Sequence, residues 1–516
     1  MNDHPRALVL FLAGPALLLL APLPGVAQEA RPPAFDDVAE HIRETMAAEG
    51  IPSVAVAAAR DGRVVWEEAF GWADREARRP ATAHTPYSLA SISKPMTATG
   101  LMTLVEDGEI DLSAPVNRYL ERARLEGPAG DASGATVRRV LAHSAGLPLH
   151  YHFFYGDGEG GPPPMDETIR RYGRLVFPPG ERFEYSNLGY GVLDHVLTRV
   201  SGRSYASFMR TEVFVPLGMN RTSVGLPDRL EPYAATRYDP ESREPIPSYR
   251  FDHDGASAVW SSAHDLARFA LFHLGGRPEG AAEILNPESR RRMQRSATPE
   301  GTDRRYGLGW SVEEELGFRK VSHTGSMPGV STMLALFPEE DAAVVVLVNT
   351  LARDLRVDVQ RRIAAALIPG YREAWQKAYR EETAREEDPE AAEETARQAS
   401  FDPPEGLVGT WTGTLHTWQE ELPVRLEIRS DGDVHARVGD QLETLLNGVE
   451  LEDGVLSGAL WGHVPTPDVM RHPRHRLQLE LLVREGTMRG QVTAVTTTDP
   501  THYALSSYLE LESAPR

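Results

Sequence analysis

Apolar residues set the first elements. Val38, Ile42 and Met46 recur every fourth position in 36–49, which predicts an amphipathic helix. Residues 53–59 form an unbroken run of small apolar side chains. A second run, 64–66, follows across Asp61-Gly62, a pair suited to a two-residue hairpin turn. Residues 95–106 read as a helix with Met96, Leu101, Met102 and Val105 on its apolar side and Pro95 in its first turn. Between about 97 and 300, short helical patterns alternate with Gly/Pro-rich loops such as 156–164. Strand patterns return at 319–323, 330–337 and 343–348. Residues 354–367 then carry Leu355, Val359, Ile363 and Leu367 along one helical face that can close the domain against the sheet. Strands at both ends of a helical middle predict an α/β fold over 28–370: an antiparallel sheet flanked by helices, with a large helical insertion.

The pattern changes after Pro369. Residues 371–403 read as an acidic, solvated helical linker, and alternation of period two dominates 404–516. Val424, Leu426 and Ile428 alternate with charged residues, Asp431-Gly432 turns the chain, and Val434, Ala436 and Val438 resume the pattern. Asp453-Gly454 marks another turn, and Leu477, Leu479 and Leu481 another strand. Short strands at this spacing predict a small all-β barrel, and Gly409-Thr410-Trp411 is similar to the opening of lipocalin-type barrels.

The first 27 residues read as an export signal: Arg6, an apolar stretch from Ala7 to Leu20, and small residues at Gly25 and Ala27 before a cleavage point. Pro15, Pro22 and Pro24 disfavour a spanning helix, so a periplasmic or secreted protein without stable membrane insertion is expected. Absence of cysteine excludes disulfides and thiolate metal sites. A formal charge of −21 excludes nucleic acid as a partner. Among 54 basic residues only Lys94, Lys320 and Lys377 are lysine. Arginine holds its proton permanently, whereas a desolvated lysine releases it, so each lysine is a candidate for chemistry.

Lys94 closes Ser91-Ile92-Ser93-Lys94 at the start of a helix, where positions i and i+3 share a face and the amine can reach the Ser91 hydroxyl. A serine is a weak nucleophile until a neighbour takes its proton, and a buried lysine can do so. Tyr185-Ser186-Asn187, ahead of a second helical run, offers a phenol to relay a proton and an amide to bind substrate. His323-Thr324-Gly325, followed by Ser326, lies on a strand. There glycine would allow close approach of a substrate, and the Ser326 amide could donate to an oxyanion.

These three motifs, in this order, resemble those of the β-lactamase superfamily, nearest class C enzymes and related penicillin-binding proteins, esterases and D-peptidases. Leu141–Pro148, Phe177–Gly180, Pro216–Met219, Ser261–Leu266 and Tyr306–Trp310 match as well. The resemblance covers about 35–368. It implies Ser91 as the acylated nucleophile, general-base work shared between Lys94 and Tyr185, substrate binding by Asn187, His323, Thr324, Gly325 and Ser326, and no cofactor. It also implies cleavage of an amide or ester in a small molecule or short peptide, D-residue peptides and small esters foremost. A β-lactamase or DD-carboxypeptidase and a non-catalytic ligand sensor are the alternatives.

One position departs from the pattern. The third motif usually opens with lysine, and here it is His323, a residue ordinarily neutral at pH 7 that gains charge near pH 6. Lys320, three residues upstream on the strand, points to the other face. Ser261, Ser262, His264 and Asp265 read as a capped helix start, with Ser262 as cap. The histidines at 143, 150, 152, 472 and 475 have no metal-ligand spacing, so no metal is expected. Tyr151, Phe153, Phe154 and Tyr155 suit packing or the wall of a substrate cleft.

Overall fold

A computed structural model describes residues 31–156, 161–302, 304–386, 401–469, 475–498 and 501–514. The expected export signal and the second half of the acidic linker lie outside these residues. No helix among the described residues is long and apolar enough to cross a membrane.

Seven antiparallel strands form the first sheet, in the order Arg79–Pro80, Arg63–Asp74, Ser53–Arg60, Ala342–Val348, Val330–Phe337, Phe318–Met327, Ser311–Glu315. The first long strand lies beside the last, Val54 opposite Val348, so both ends of the domain meet at the sheet centre. The hairpin turns at Asp61 and Gly62, with φ of 51° and 75°, the two left-handed residues that a tight hairpin requires.

Both faces of the sheet are covered, which explains the unbroken run at 53–59. Val54, Val56 and Ala58 pack under the helices Asp36–Glu49 and Arg353–Leu367, and Leu355, Val359 and Ile363 of the latter are buried there as expected. Ala55, Ala57 and Ala59 face the opposite way, where small side chains let the helix Ala263–Leu274 approach closely. The helix expected at 95–106 begins at Ser93 and is buried almost all round, Lys94 included, so it is a core element without an apolar stripe. The strand Ser311–Glu315 was not legible: three glutamates on a sheet edge carry no apolar signal.

The C-terminal region is a nearly closed, all-antiparallel barrel. Its strands run Thr444–Leu445, Val434–Val438, Glu421–Ile428, Gly409–His416, Thr501–Ser513, Thr487–Thr498, His475–Arg484, Val455–Gly462, Asn447–Glu452. The alternation read from sequence is its register: Val424 faces Val438, Leu426 faces Ala436 and Ile428 faces Val434, all buried. Trp411 is buried too and donates its indole N–H to the Leu407 carbonyl at 3.0 Å.

This barrel is joined to the helical insertion by strand pairing. Tyr151–Tyr155 adds to the edge of Thr501–Ser513, with Tyr151 opposite Ala504 and His152 opposite Tyr503, and pairs on its other side with Tyr249–Phe251. Nearby, Asp468 accepts hydrogen bonds from Arg171 at 3.0 Å and from the Tyr172 hydroxyl at 2.5 Å, while the Arg171 guanidinium lies over Trp418.

Glu184 sits in the same interface, accepting from Gln491 Nε2 at 3.1 Å. Burial, with Glu480 nearby, pushes its carboxyl up to about 8, against the pull of Arg182 and Gln491. The folded chain then binds a proton here that the unfolded chain has released, so this group loses stability as pH rises from its ordinary range toward 8. Glu184→Gln is expected to raise the melting temperature at pH 8, by on the order of 1–3 kcal/mol in stability, and to change it little at pH 5. Equal shifts at both pH values would show that the carboxyl is not titrating there.

Candidate active site

Ser91, the candidate nucleophile, sits on a strained turn. Ala90 has φ of 50°, a left-handed conformation that a residue with a Cβ rarely adopts, and Ser91 follows it directly. The turn is held from several sides. Leu89 N–H donates to the Val259 carbonyl at 2.9 Å, and Thr332 Oγ1 donates to the Leu89 carbonyl at 2.8 Å. Ser93 Oγ donates to the Ala90 carbonyl at 2.7 Å and accepts from Val259 N–H at 3.0 Å. The second serine of the first motif is thus a brace for the first.

Lys94 is fully buried one turn further along. Its Nζ donates to Ser91 Oγ at 3.2 Å, Asn187 Oδ1 at 2.7 Å and the Ala256 carbonyl at 3.2 Å. It also lies 4.7 Å from the centre of the Tyr185 ring. All three acceptors are neutral, and burial holds the amine well below its ordinary range. Lys320, by contrast, is fixed between Glu313 and Glu315 at 3.1 and 3.0 Å, and Lys377 is an exposed partner of Glu381.

Ser186 organises the second motif. Its Oγ accepts from Gly189 N–H to cap the helix Asn187–Ser201 and donates to the Pro148 carbonyl, while its N–H donates to His143 Nδ1 at 3.1 Å. With Ser186 extended, Tyr185 and Asn187 flank the Ser91–Lys94 pair. Burial pushes the Tyr185 phenol above its ordinary range, and a hydrogen bond with Ser91 draws it partway back. Asn187 grips Lys94 through Oδ1 and the His150 carbonyl through Nδ2 at 3.0 Å. In this structure its amide orients the lysine, a role the sequence reading did not assign.

His323 lies under the same site, near Tyr185 and 5% exposed. Its Nδ1 faces the Thr324 carbonyl at 2.8 Å, which can only accept, so Nδ1 carries the proton and Nε2 accepts from the Tyr306 hydroxyl at 2.9 Å. Burial, reinforced by Lys94, pushes the imidazole down to about 3. The expected gain of charge near pH 6 therefore fails: the desolvated ring stays neutral across the physiological range. Thr324 and Ser326 are exposed on the strand, but Gly325 is not an opening for substrate. A Cβ there would lie 2.1 Å from the Leu89 carbonyl oxygen and 2.2 Å from Thr332 Oγ1, so the glycine lets the nucleophile turn pack against the sheet.

Arg356, which no motif revealed, donates from Nη1 to the Gly325 carbonyl and to Ser326 Oγ, each at 3.1 Å, and so ties the end of this strand to the helix Arg353–Leu367. His143 packs among Tyr185, Tyr190 and Tyr306 with ring centres 4.3, 5.2 and 4.7 Å away. Asp252 binds His150 Nε2 at 2.9 Å and His253 Nδ1 at 2.7 Å, and the two imidazoles hold its carboxyl well below the usual range despite burial. Those three residues, and Glu67 with His84 and His264, bring donor atoms close enough to surround an ion, although no ligand spacing marks them in sequence. Each group is already linked internally, Asp252 to both of its histidines and Glu67 to His264 Nδ1 at 2.8 Å. Ser262 caps the helix Ala263–Leu274 through Asp265 N–H, as read.

Two cavities share Ser91 and Ser326. The larger, about 890 Å³, is lined by Tyr185 and His323 and by charged residues including Arg304, Arg305 and Glu313. The smaller, about 400 Å³, contains Asn187 and His253.

The site thus sets a serine and a lysine one turn apart at the head of a buried helix, between a Tyr-x-Asn loop and a sheet strand. The family model described as beta-lactamase matches residues 38–368, and the chain belongs to the beta-lactamase family. Penicillin-binding protein 4* of Bacillus subtilis is 31% identical over 322 residues, covering 57% of this chain and 67% of that protein. Unguisins hydrolase ungD' of Aspergillus campestris is 29% identical over 341 residues, 62% of each chain. The matches thus take in about two thirds of the length of these relatives. Among solved structures, the octameric penicillin-binding protein homologue from Pyrococcus abyssi shares the fold over 91% of this chain and 99% of its own, with TM-score 0.56 and 23% identity. A class C beta-lactamase does so over 66% and 98%, with TM-score 0.55 and 20% identity.

Gly325→Ala is expected to destabilise the protein by about 1–3 kcal/mol, as overpacked core positions do, and to lower reactivity at Ser91 by displacing Leu89 and Ala90. Thermal melting with fluorophosphonate labelling checks both, and a variant as stable and reactive as the parent would refute the packing role.

Proposed function

We propose that this protein is a serine hydrolase that cleaves an amide or ester bond through an acyl-enzyme on Ser91. The observation that carries the reading is the buried Lys94 amine, 3.2 Å from the Ser91 hydroxyl and surrounded by neutral acceptors. In its neutral form this amine accepts the Ser91 proton. The Tyr185 phenol, whose ionisation burial opposes, serves as a neutral relay rather than as the first base. Ser91 Oγ then bonds to the substrate carbonyl carbon while the oxyanion is held by the amides of Ser91 and Ser326. As the tetrahedral intermediate collapses, the bond to the leaving group breaks and that group departs with a proton returned through Tyr185. Water then adds to the acyl carbon, gives up a proton to the same base, and releases the acid and Ser91.

A D-residue peptide or a small ester is favoured over a carboxylate-bearing β-lactam, because the neutral His323 offers no cation where a lysine would hold a substrate carboxylate.

Ser91→Ala is expected to reduce hydrolysis of p-nitrophenyl acetate and D-alanyl p-nitroanilide at least about a thousandfold with little change in melting temperature. Lys94→Arg is expected to be almost as damaging, since arginine keeps charge but cannot accept a proton. Retained activity in either variant would overturn the reading.

The relative kcat/KM for nitrocefin and p-nitrophenyl acetate is expected to stay within about twofold between pH 6 and pH 8, because His323 remains neutral across that range. A rise of roughly tenfold toward nitrocefin at pH 6, the scale of a charge-assisted contact, would mean that the imidazole does titrate there.

A further inference from the structure

The smaller cavity beside Ser91 has an unusual wall. The strand Tyr151–Tyr155 brings Tyr151 and Phe153 to it, and Ile246, Met327 and Leu351 supply aliphatic surface. The C-terminal barrel contributes one residue: His502, at the start of the strand Thr501–Ser513, lines the same cavity. His502 is held in place by the insertion. Its Nδ1 hydrogen-bonds the Tyr155 hydroxyl at 3.0 Å, and its ring lies 5.7 Å from that of Phe153, edge to face. Phe153 is in turn wedged edge-on against Tyr249 and Phe251, each 5.1 Å away. At the rim, Leu351 is 37% exposed, an apolar surface presented to solvent where a ligand would cover it.

The two cavities differ in what they offer a substrate. Tyr185, the group that returns a proton to a departing amine or alcohol, lines the larger and charged one, which therefore takes the leaving group. The smaller one shares Ser91 but is not lined by Tyr185, so it is left to the acyl half of the substrate. Its volume of about 400 Å³ suits a group of aromatic size, since small-molecule pockets begin near 300 Å³.

We infer that the substrate's acyl half is a bulky apolar group, aromatic or branched, bound in the smaller cavity with His502 of the C-terminal barrel as one wall. The inference rests on the hydrolase reading above. The barrel is then a specificity element of the active site, and an acetyl group leaves most of the cavity unfilled. Recognition is by shape and apolar contact with Tyr151, Phe153, Ile246 and Met327, while Asp239 and Arg353 are the charged residues that also line the cavity.

The test holds the leaving group constant and varies the acyl half: kcat/KM for p-nitrophenyl phenylacetate against p-nitrophenyl acetate, in the full chain and in His502→Ala and His502→Phe. The phenylacetyl ester is expected to be preferred at least about tenfold by the parent, the scale of one to two well-buried methylene equivalents. His502→Ala should reduce that ratio about tenfold. His502→Phe, which keeps an aromatic wall and loses the bond to Tyr155, should retain most of it. Turnover of both esters without preference overturns the inference alone and leaves the hydrolase reading intact. A ratio unchanged in His502→Ala overturns the role of the barrel wall, and loss of the preference in both variants shows that His502 acts only as a tether for Tyr155. If neither ester is turned over and fluorophosphonate leaves Ser91 unlabelled, the hydrolase reading fails and this inference with it.

Discussion

An ammonium group with no carboxylate beside it is hard to place inside a protein, and the fold around Lys94 is organised to do so. Three neutral oxygens, from Ser91, Asn187 and Ala256, receive its donors, and two aromatic faces, Tyr185 and Tyr190, lie beside it. Each comes from a different part of the chain: the nucleophile turn, the capped helix at Asn187 and the short helix Asp254–Ser257. Transfer of an unpaired charge into the interior is expensive, and that expense is what holds the amine well below its ordinary range. Stability and reactivity are therefore opposed at this residue, and the surrounding packing must supply the difference.

The same low-polarity setting governs its neighbours. His323 and His143 are both held neutral by burial with Lys94 nearby, and the Tyr185 phenol is kept protonated. Three titratable rings thus surround one amine, and burial disfavours the charged form of each. Polar contacts with such groups are set by tautomer and geometry, which is why the Nδ1–H of His323 toward the Thr324 carbonyl matters more than the ordinary pKa of histidine.

Much of this was legible in the sequence because it is local. The alternation at 424–438 is the observed register, and the scarcity of lysine singled out Lys94 before any contact was known. What was not legible depends on tertiary neighbours. The neutrality of His323 follows from burial that no spacing encodes. The need for glycine at 325 arises from a carbonyl more than two hundred residues earlier in the chain, at Leu89. Arg356, on the helix read as amphipathic, had no motif to mark it, yet it is buried and braces the strand that carries Ser326. The aromatic run 151–155 has neither helical nor strand alternation, because it is paired on both edges and all five of its side chains are half-buried.

That five-residue strand also bears on how the molecule comes apart. It is hydrogen-bonded on one edge to the C-terminal barrel and on the other to Tyr249–Phe251, which leads through Asp252 and His253 to the helix whose Ala256 carbonyl receives Lys94. Opening the barrel edge exposes the strand, and exposing the strand loosens the backbone around the lysine. The two regions are therefore joined through one backbone element as well as through the chain that runs between them.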